Sequence, residues 1–161
     1  RPAQAKVSGL LLLEILASWS KLGPMASHLP LDPKTRKRID RLGKEFLADF
    51  YNREASRHPE NLEALSELAH LLTQLGRLEE GLAVDRRLVK AMPESDLVHY
   101  NHACSLALSG LPVEAMDALE LAIELGYDDA PHLAADEDFA CLQKEPRFQR
   151  LLKRLYLESE L

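Results

Sequence analysis

Apolar positions in this chain recur every three or four residues over most of its length, the period of helices that bury one face. Leu65, Leu68, Leu72 and Leu75 mark one run, and Leu82 and Leu88 belong to the next. From Pro33 to Arg57 the spacing predicts one long helix whose apolar face carries Ile39, Leu42, Phe46, Leu47, Phe50 and Tyr51. Near the end, Phe139 and Leu142, then Phe148, Leu151 and Leu152, predict a short helix, a turn and a longer helix. Asp136 is placed to cap the first, and Pro146 to open the second. The stretch from Val7 to Trp19 is apolar but short, about 13 residues against the roughly 20 of a membrane span, and it contains Glu14. It reads as an amphipathic or buried helix rather than a span or a signal peptide, since no small-x-small cleavage site follows it.

Two of these runs repeat with a period of 34. Pro59 and Pro93, Gly76 and Gly110, Gly81 and Ala115, and Leu88 and Ala122 are each 34 apart. Each member of a pair has the same physical task. Gly76 and Gly110 stand where a helix ends in a left-handed cap. Ala69 and Ala103, like Gly81 and Ala115, are small where two helix axes approach. Pro59 and Pro93 stop the second helix of a unit, and Asn61 and Ser95 cap the helix that follows. Each unit is therefore a helix, a glycine turn, a second helix and a break.

On these residues the chain resembles the tetratricopeptide repeat family. The likeness is fullest in the second unit, at Tyr100-Asn101, Ala103, Gly110, Glu114-Ala115, Leu119 and Ala122. The first unit departs from it: Gly81 replaces the usual alanine, and Asp85 stands where an aromatic or large apolar residue is usual. The resemblance covers residues 59–126 and implies an all-α fold, a right-handed superhelix of antiparallel helix pairs. Residues 25–58 are then a basic linker and the long helix of a degenerate repeat, and residues 127–161 are capping helices. Lys144, Arg147, Arg150, Lys153 and Arg154 give the cap the polar outer face that a terminal repeat needs. Residues 1–24 form an apolar N-terminal segment. The chain opens on Arg1, and Met25 follows Gly23-Pro24, which leaves open whether that segment is fused or processed.

The same resemblance implies a groove lined by first helices. Its candidates are Glu63, Ser66, His70, Thr73 and Gln74 in the first unit, and Leu97, Tyr100, Asn101, Cys104 and Leu108 in the second. Members that hold a terminal carboxylate use a clamp of lysine, asparagine and arginine. Asn101 matches one element of it, but Ser66 and His70 stand at two others and no basic residue completes it. The second unit's face, around Leu97, Tyr100, Cys104 and Leu108, reads as apolar and suited to a helical or extended apolar segment. The leucine-rich Ala3–Lys21 is one such segment, docking in cis or in a neighbouring copy, so homo-oligomerisation is a second expectation.

Composition narrows the functions. The net charge of −6 is uneven: residues 1–58 hold 11 Lys/Arg against 6 Asp/Glu, and residues 59–161 hold 9 against 20. An acidic body behind a basic front is not the broad cationic face that nucleic acid requires. Arg36, Lys37, Arg38 and Arg41 read as a solvated helical face, with an anionic partner as the alternative. Cys104 and Cys141 have no CxxC spacing, which excludes a disulfide framework and a zinc ribbon and points to a reducing, cytoplasmic setting.

Candidate chemistry is sparse. His99, His102 and Cys104 are close in sequence, but the histidines fall at packing positions and no carboxylate completes a metal set. His28, His58, His70 and His132 read as surface or capping residues. Cys104 reads as a small buried hydrophobe, and Cys141, on a short helix after three acids, as a poor thiolate. Asp136–Asp138 lacks the alternating ligands and glycine of a calcium loop. With no phosphate loop, GxSxG or HExxH, the expectation is a binding scaffold or adaptor: no enzyme, cofactor or metal, and a peptide or protein partner.

Overall fold

In the computed structural model, residues 31–159 are described. The expectations for Ala3–Lys21, for residues 1–24 and for His28 lie outside them. Two compact units divide the chain, residues 1–39 and 40–161. Of the first, the described part is the opening of helix α1 (Pro33–Arg57), where Asp32 accepts hydrogen bonds from the Lys34 and Thr35 amides. That side chain caps the helix and carries its charge where the helix N-terminus favours it.

The second unit is all helical, and no strand occurs among the described residues. After α1 come α2 (Leu62–Gln74), α3 (Leu78–Ala91), α4 (Asp96–Leu108) and α5 (Pro112–Glu124). The short α6 (Ala130–Ala135), a 3-10 turn (Glu137–Phe139) and α7 (Pro146–Ser159) follow. No helix among the described residues is long and apolar enough to cross a membrane.

The helix boundaries follow from local chemistry. Asn61 accepts from the Ala64 amide at 3.0 Å, and Ser95 from the Val98 amide at 3.4 Å. Gly76 and Gly110 both hold φ at +74°, a conformation open to glycine and strained for other residues. Identical bonds flank them: Arg77 N to Leu72 O at 2.8 Å and Leu111 N to Leu106 O at 3.0 Å. These close the last turns of α2 and α4 in the manner of a Schellman cap. Gly81 answers a different need. A Cβ built there would lie 3.1 Å from Thr73 Oγ1, so where α3 comes close to α2 any side chain needs Thr73 to yield by a few tenths of an ångström.

Two apolar clusters form the core of this unit. One joins Ala48 and Ala55 of α1 to Leu65, Leu68 and Leu72 of α2, Val84 and Leu88 of α3, and Val98. The other gathers Ala103, Leu106, Ala115, Leu119 and Ala122 with Leu133, Phe139, Leu142 and Phe148 of the C-terminal segment. Phe139 and Phe148 are wholly buried, so the tail is core as much as lid.

Three expectations change here. The buried face of α1 runs through Ala48 and Ala55, while Leu42 and Phe46 are exposed and Leu47, Phe50 and Tyr51 are half-buried. Alanines let the helix come close, and bulk at 42 and 46 faces out. The capping helices expected over residues 127–161 begin ahead of Asp136, with α6, capped by Asp129, which accepts from the His132 amide at 2.8 Å. The short helix expected after Asp136 is a single 3-10 turn, and Cys141 sits exposed in the turn that follows.

Candidate functional site

A cavity of about 310 Å³ opens at the seam between the two apolar clusters. Helix α2 supplies Ser66, Ala69, His70 and Thr73, and α3 supplies Asp85 and Leu88. Val98, Tyr100, Asn101, Cys104 and Ser105 come from the start and middle of α4, and His132, Asp136 and Asp138 from the tail. The helical period explains the gathering: residues three and four apart on α2, and again on α4, share one face.

Six of the ten residues expected in a groove line this cavity: Ser66, His70, Thr73, Tyr100, Asn101 and Cys104. Glu63, Gln74 and Leu97 do not, and Leu108 borders a separate cleft beside Gly76 and Arg77. Leu97 stands exposed, so of the apolar face expected of the second unit only Tyr100 and Cys104 reach the cavity. Acids join them. Asp85, Asp136 and Asp138 converge from two distant parts of the chain, and among the described residues no Lys or Arg lines the space with them.

Asp136 organises the wall. Its Oδ2 accepts from the Tyr100 hydroxyl at 2.6 Å and lies 3.8 Å from Cys104 Sγ. Its Oδ1 accepts from the Asp138 amide at 2.9 Å. Tyr100 is locked in place by stacking on Tyr127 at 4.2 Å and by meeting Phe139 edge-on at 5.6 Å. Burial, then the bond to Asp136, push the Tyr100 hydroxyl well above the usual phenol range. Burial and the neighbouring carboxylates of Asp136 and Asp138 likewise push the Cys104 thiol far up, so it stays protonated. Burial also raises Asp138, with Asp136 beside it adding to the effect.

Asp85 differs from the other two acids. It is 3% exposed, and its Oδ2 has no hydrogen-bond partner. Burial pushes its carboxyl up to about 6, against the opposing pull of the Ser105 hydroxyl. The sequence flagged Asp85 as a break in the apolar pattern of its repeat, and that break is the signal by which it could have been recognised as functional. Asp136 and Asp138 carried no such sign, because their capping of the turn at Glu137–Phe139 accounts for acids at that spacing.

Cys104 Sγ and one oxygen each of Asp136 and Asp138 lie within 4.8 Å of one another, near enough to share a metal ion. The thiol is held protonated, however, and both oxygens of Asp136 already accept hydrogen bonds. The histidines that preceded Cys104 in the sequence argument go elsewhere. His99 is buried with Nε2 2.9 Å from the Pro93 carbonyl, and the ring of His102 has a buried Nδ1 without a partner. Burial, then Arg86, lower His102 to about 4, so it stays neutral. Compared with known proteins, the chain matches no family model, no curated protein and no solved structure.

Proposed function

We propose that this chain is a protein-interaction module of tetratricopeptide type, a right-handed superhelix of antiparallel helix pairs. It acts as a scaffold or adaptor that holds a peptide segment of another protein. The observation that carries the reading is the cavity at the seam, because the faces of α2 and α4 that a repeat of period 34 sets side by side both open onto it. The matching glycine caps of the two units support the same reading. Of the helical or extended apolar segments that the sequence suggested, the acids among these walls favour an extended one that also carries polar groups.

Binding rather than catalysis fits the chemistry of the walls. A thiol held protonated and a phenol shifted upward are poor nucleophiles near neutral pH.

The test is to plug the cavity. Asn101 is exposed on its rim, so Asn101→Trp fills the mouth at little cost in stability. Screened against a random peptide library by fluorescence polarisation, the variant is expected to lose binding that the parent chain shows. Equal binding by both would end the proposal.

A second reading, self-assembly, is favoured by the exposed Leu42 and Phe46 on α1. Sedimentation of the chain beside a Leu42→Ser/Phe46→Ser variant checks it, with a lower mass expected for the variant.

A further inference from the structure

We propose that the cavity is a receptor for a lysine side chain of the bound segment, its ammonium seated on Asp85 and Ser105 and its methylene stem lying along Ala69, Leu88 and Val98. This rests on the peptide-binding reading and names what the peptide must carry.

The argument begins with a charge the fold does not use. Asp85 sits in the apolar stripe of α3, between Leu82 and Leu88, where an apolar side chain would pack. A buried carboxylate without a counter-ion costs free energy in any fold. Asp85 lines the cavity, and its Oδ2 has no partner. A cation entering that space would satisfy the orphan oxygen and offset the buried charge together.

The shape of the space selects among cations. Ala69, Leu88, Val98, Asp85 and Ser105 are buried and form the floor, while Asp138 stands half-buried nearer the rim. A long apolar stem ending in a compact charge matches apolar walls that end in an acid. An ammonium carries three donors and is a point charge. A guanidinium fork seeks two parallel oxygens of one carboxylate, and here Asp85 offers a single orphan oxygen. Lysine therefore fits better than arginine. The excess of acids over residues 59–161 adds a long-range field that draws a basic segment in.

The test uses the full chain and a library of acetylated, amidated nonapeptides whose central residue is fixed and whose flanks are randomised. Pools with central lysine are expected to bind about tenfold or more tighter than pools with central Nε-acetyl-lysine. Asp85→Asn is expected to erase that preference, so that the lysine and acetyl-lysine pools bind alike. If thermal melting shows that Asp85→Asn does not fold, Asp138→Lys serves instead: it sets an ammonium on the rim in cis and is expected to abolish the lysine preference. Pools that bind with no lysine preference would overturn the inference and leave the peptide reading standing. No binding by any pool would overturn both. A win for arginine, or zinc bound stoichiometrically and lost in Cys104→Ser, would replace the ammonium site with a guanidinium or metal site.

Discussion

Asp85 and Leu119 hold the same place in successive units, 34 residues apart, each in the middle of a second helix and each buried. Leu119 is wholly enclosed within the apolar cluster that the C-terminal segment completes. Asp85 sits at the edge of the other cluster and faces a cavity. One backbone position thus serves as core in one unit and as the floor of a recess in the other. The difference lies in what the neighbours supply. Leu119 shares its cluster with Ala103, Ala115 and Ala122, all as fully buried as itself. Around Asp85, the next helix offers Ser105 and the tail offers Asp136 and Asp138.

The most damaging way to erase this distinction is to place an acid in the second unit. Leu119→Asp is expected to cost about 4 kcal/mol or more, enough to unfold a typical domain of this size, because the site has neither solvent nor a polar neighbour. Urea denaturation followed by circular dichroism would show it. A loss below about 1 kcal/mol would mean that the second unit hides a recess like the first.

The reverse change should stabilise. The folded-state carboxyl of Asp85 lies at about 6, above its ordinary 3.8, so the folded chain prefers it protonated. Its contribution to stability is therefore greatest in acid and is lost as pH rises from about 4 through 6, a total of about 3 kcal/mol. At pH 7.5, Asp85→Asn is expected to gain on the order of 1–3 kcal/mol over the parent. That gap should close as pH falls to 4, and the difference between the two chains cancels the titration of other groups. A gap that is flat with pH would show that Asp85 bears no such burden.

The smallest effect concerns how the second unit is closed. Arg147 of α7 forms a fork onto Glu120, next to Leu119, at 2.7 and 2.6 Å, with Asp117 at 2.8 Å. The pairs are largely solvent-exposed, so Arg147→Ala should cost less than about 1 kcal/mol. Closure rests instead on Phe139, Leu142 and Phe148, all wholly buried. A loss of several kcal/mol on this truncation would show that the fork, rather than the apolar seal, makes the second unit dry.

Most of the second unit was legible from the sequence because its rules are local. A glycine at a left-handed cap, an asparagine or serine three residues before a donor, and a proline at a helix start each act within one turn. The period of 34 then brought Ser66, His70 and Thr73 to one place with Tyr100, Asn101 and Cys104. Helix α1 misled because a hydrophobic period marks bulk, and close packing there uses Ala48 and Ala55, whose small side chains carry little of that signal. Asp136 was read as a cap, which it is, but its bond to Tyr100 spans 36 residues and no local rule announces it. Asp85 was visible as an exception; its meaning needed the cavity beside it.

The bare backbone at Gly81 has a consequence for the cavity. Alanine stands at the matching position of the second unit, yet at 81 its methyl would press on Thr73 Oγ1, which itself bonds the Ala69 carbonyl at 3.1 Å. Thr73 must yield by a few tenths of an ångström before residue 81 can grow, and Thr73 lines the recess. The two positions are thus coupled: a methyl added at 81, between two helices, presses on a wall of the cavity.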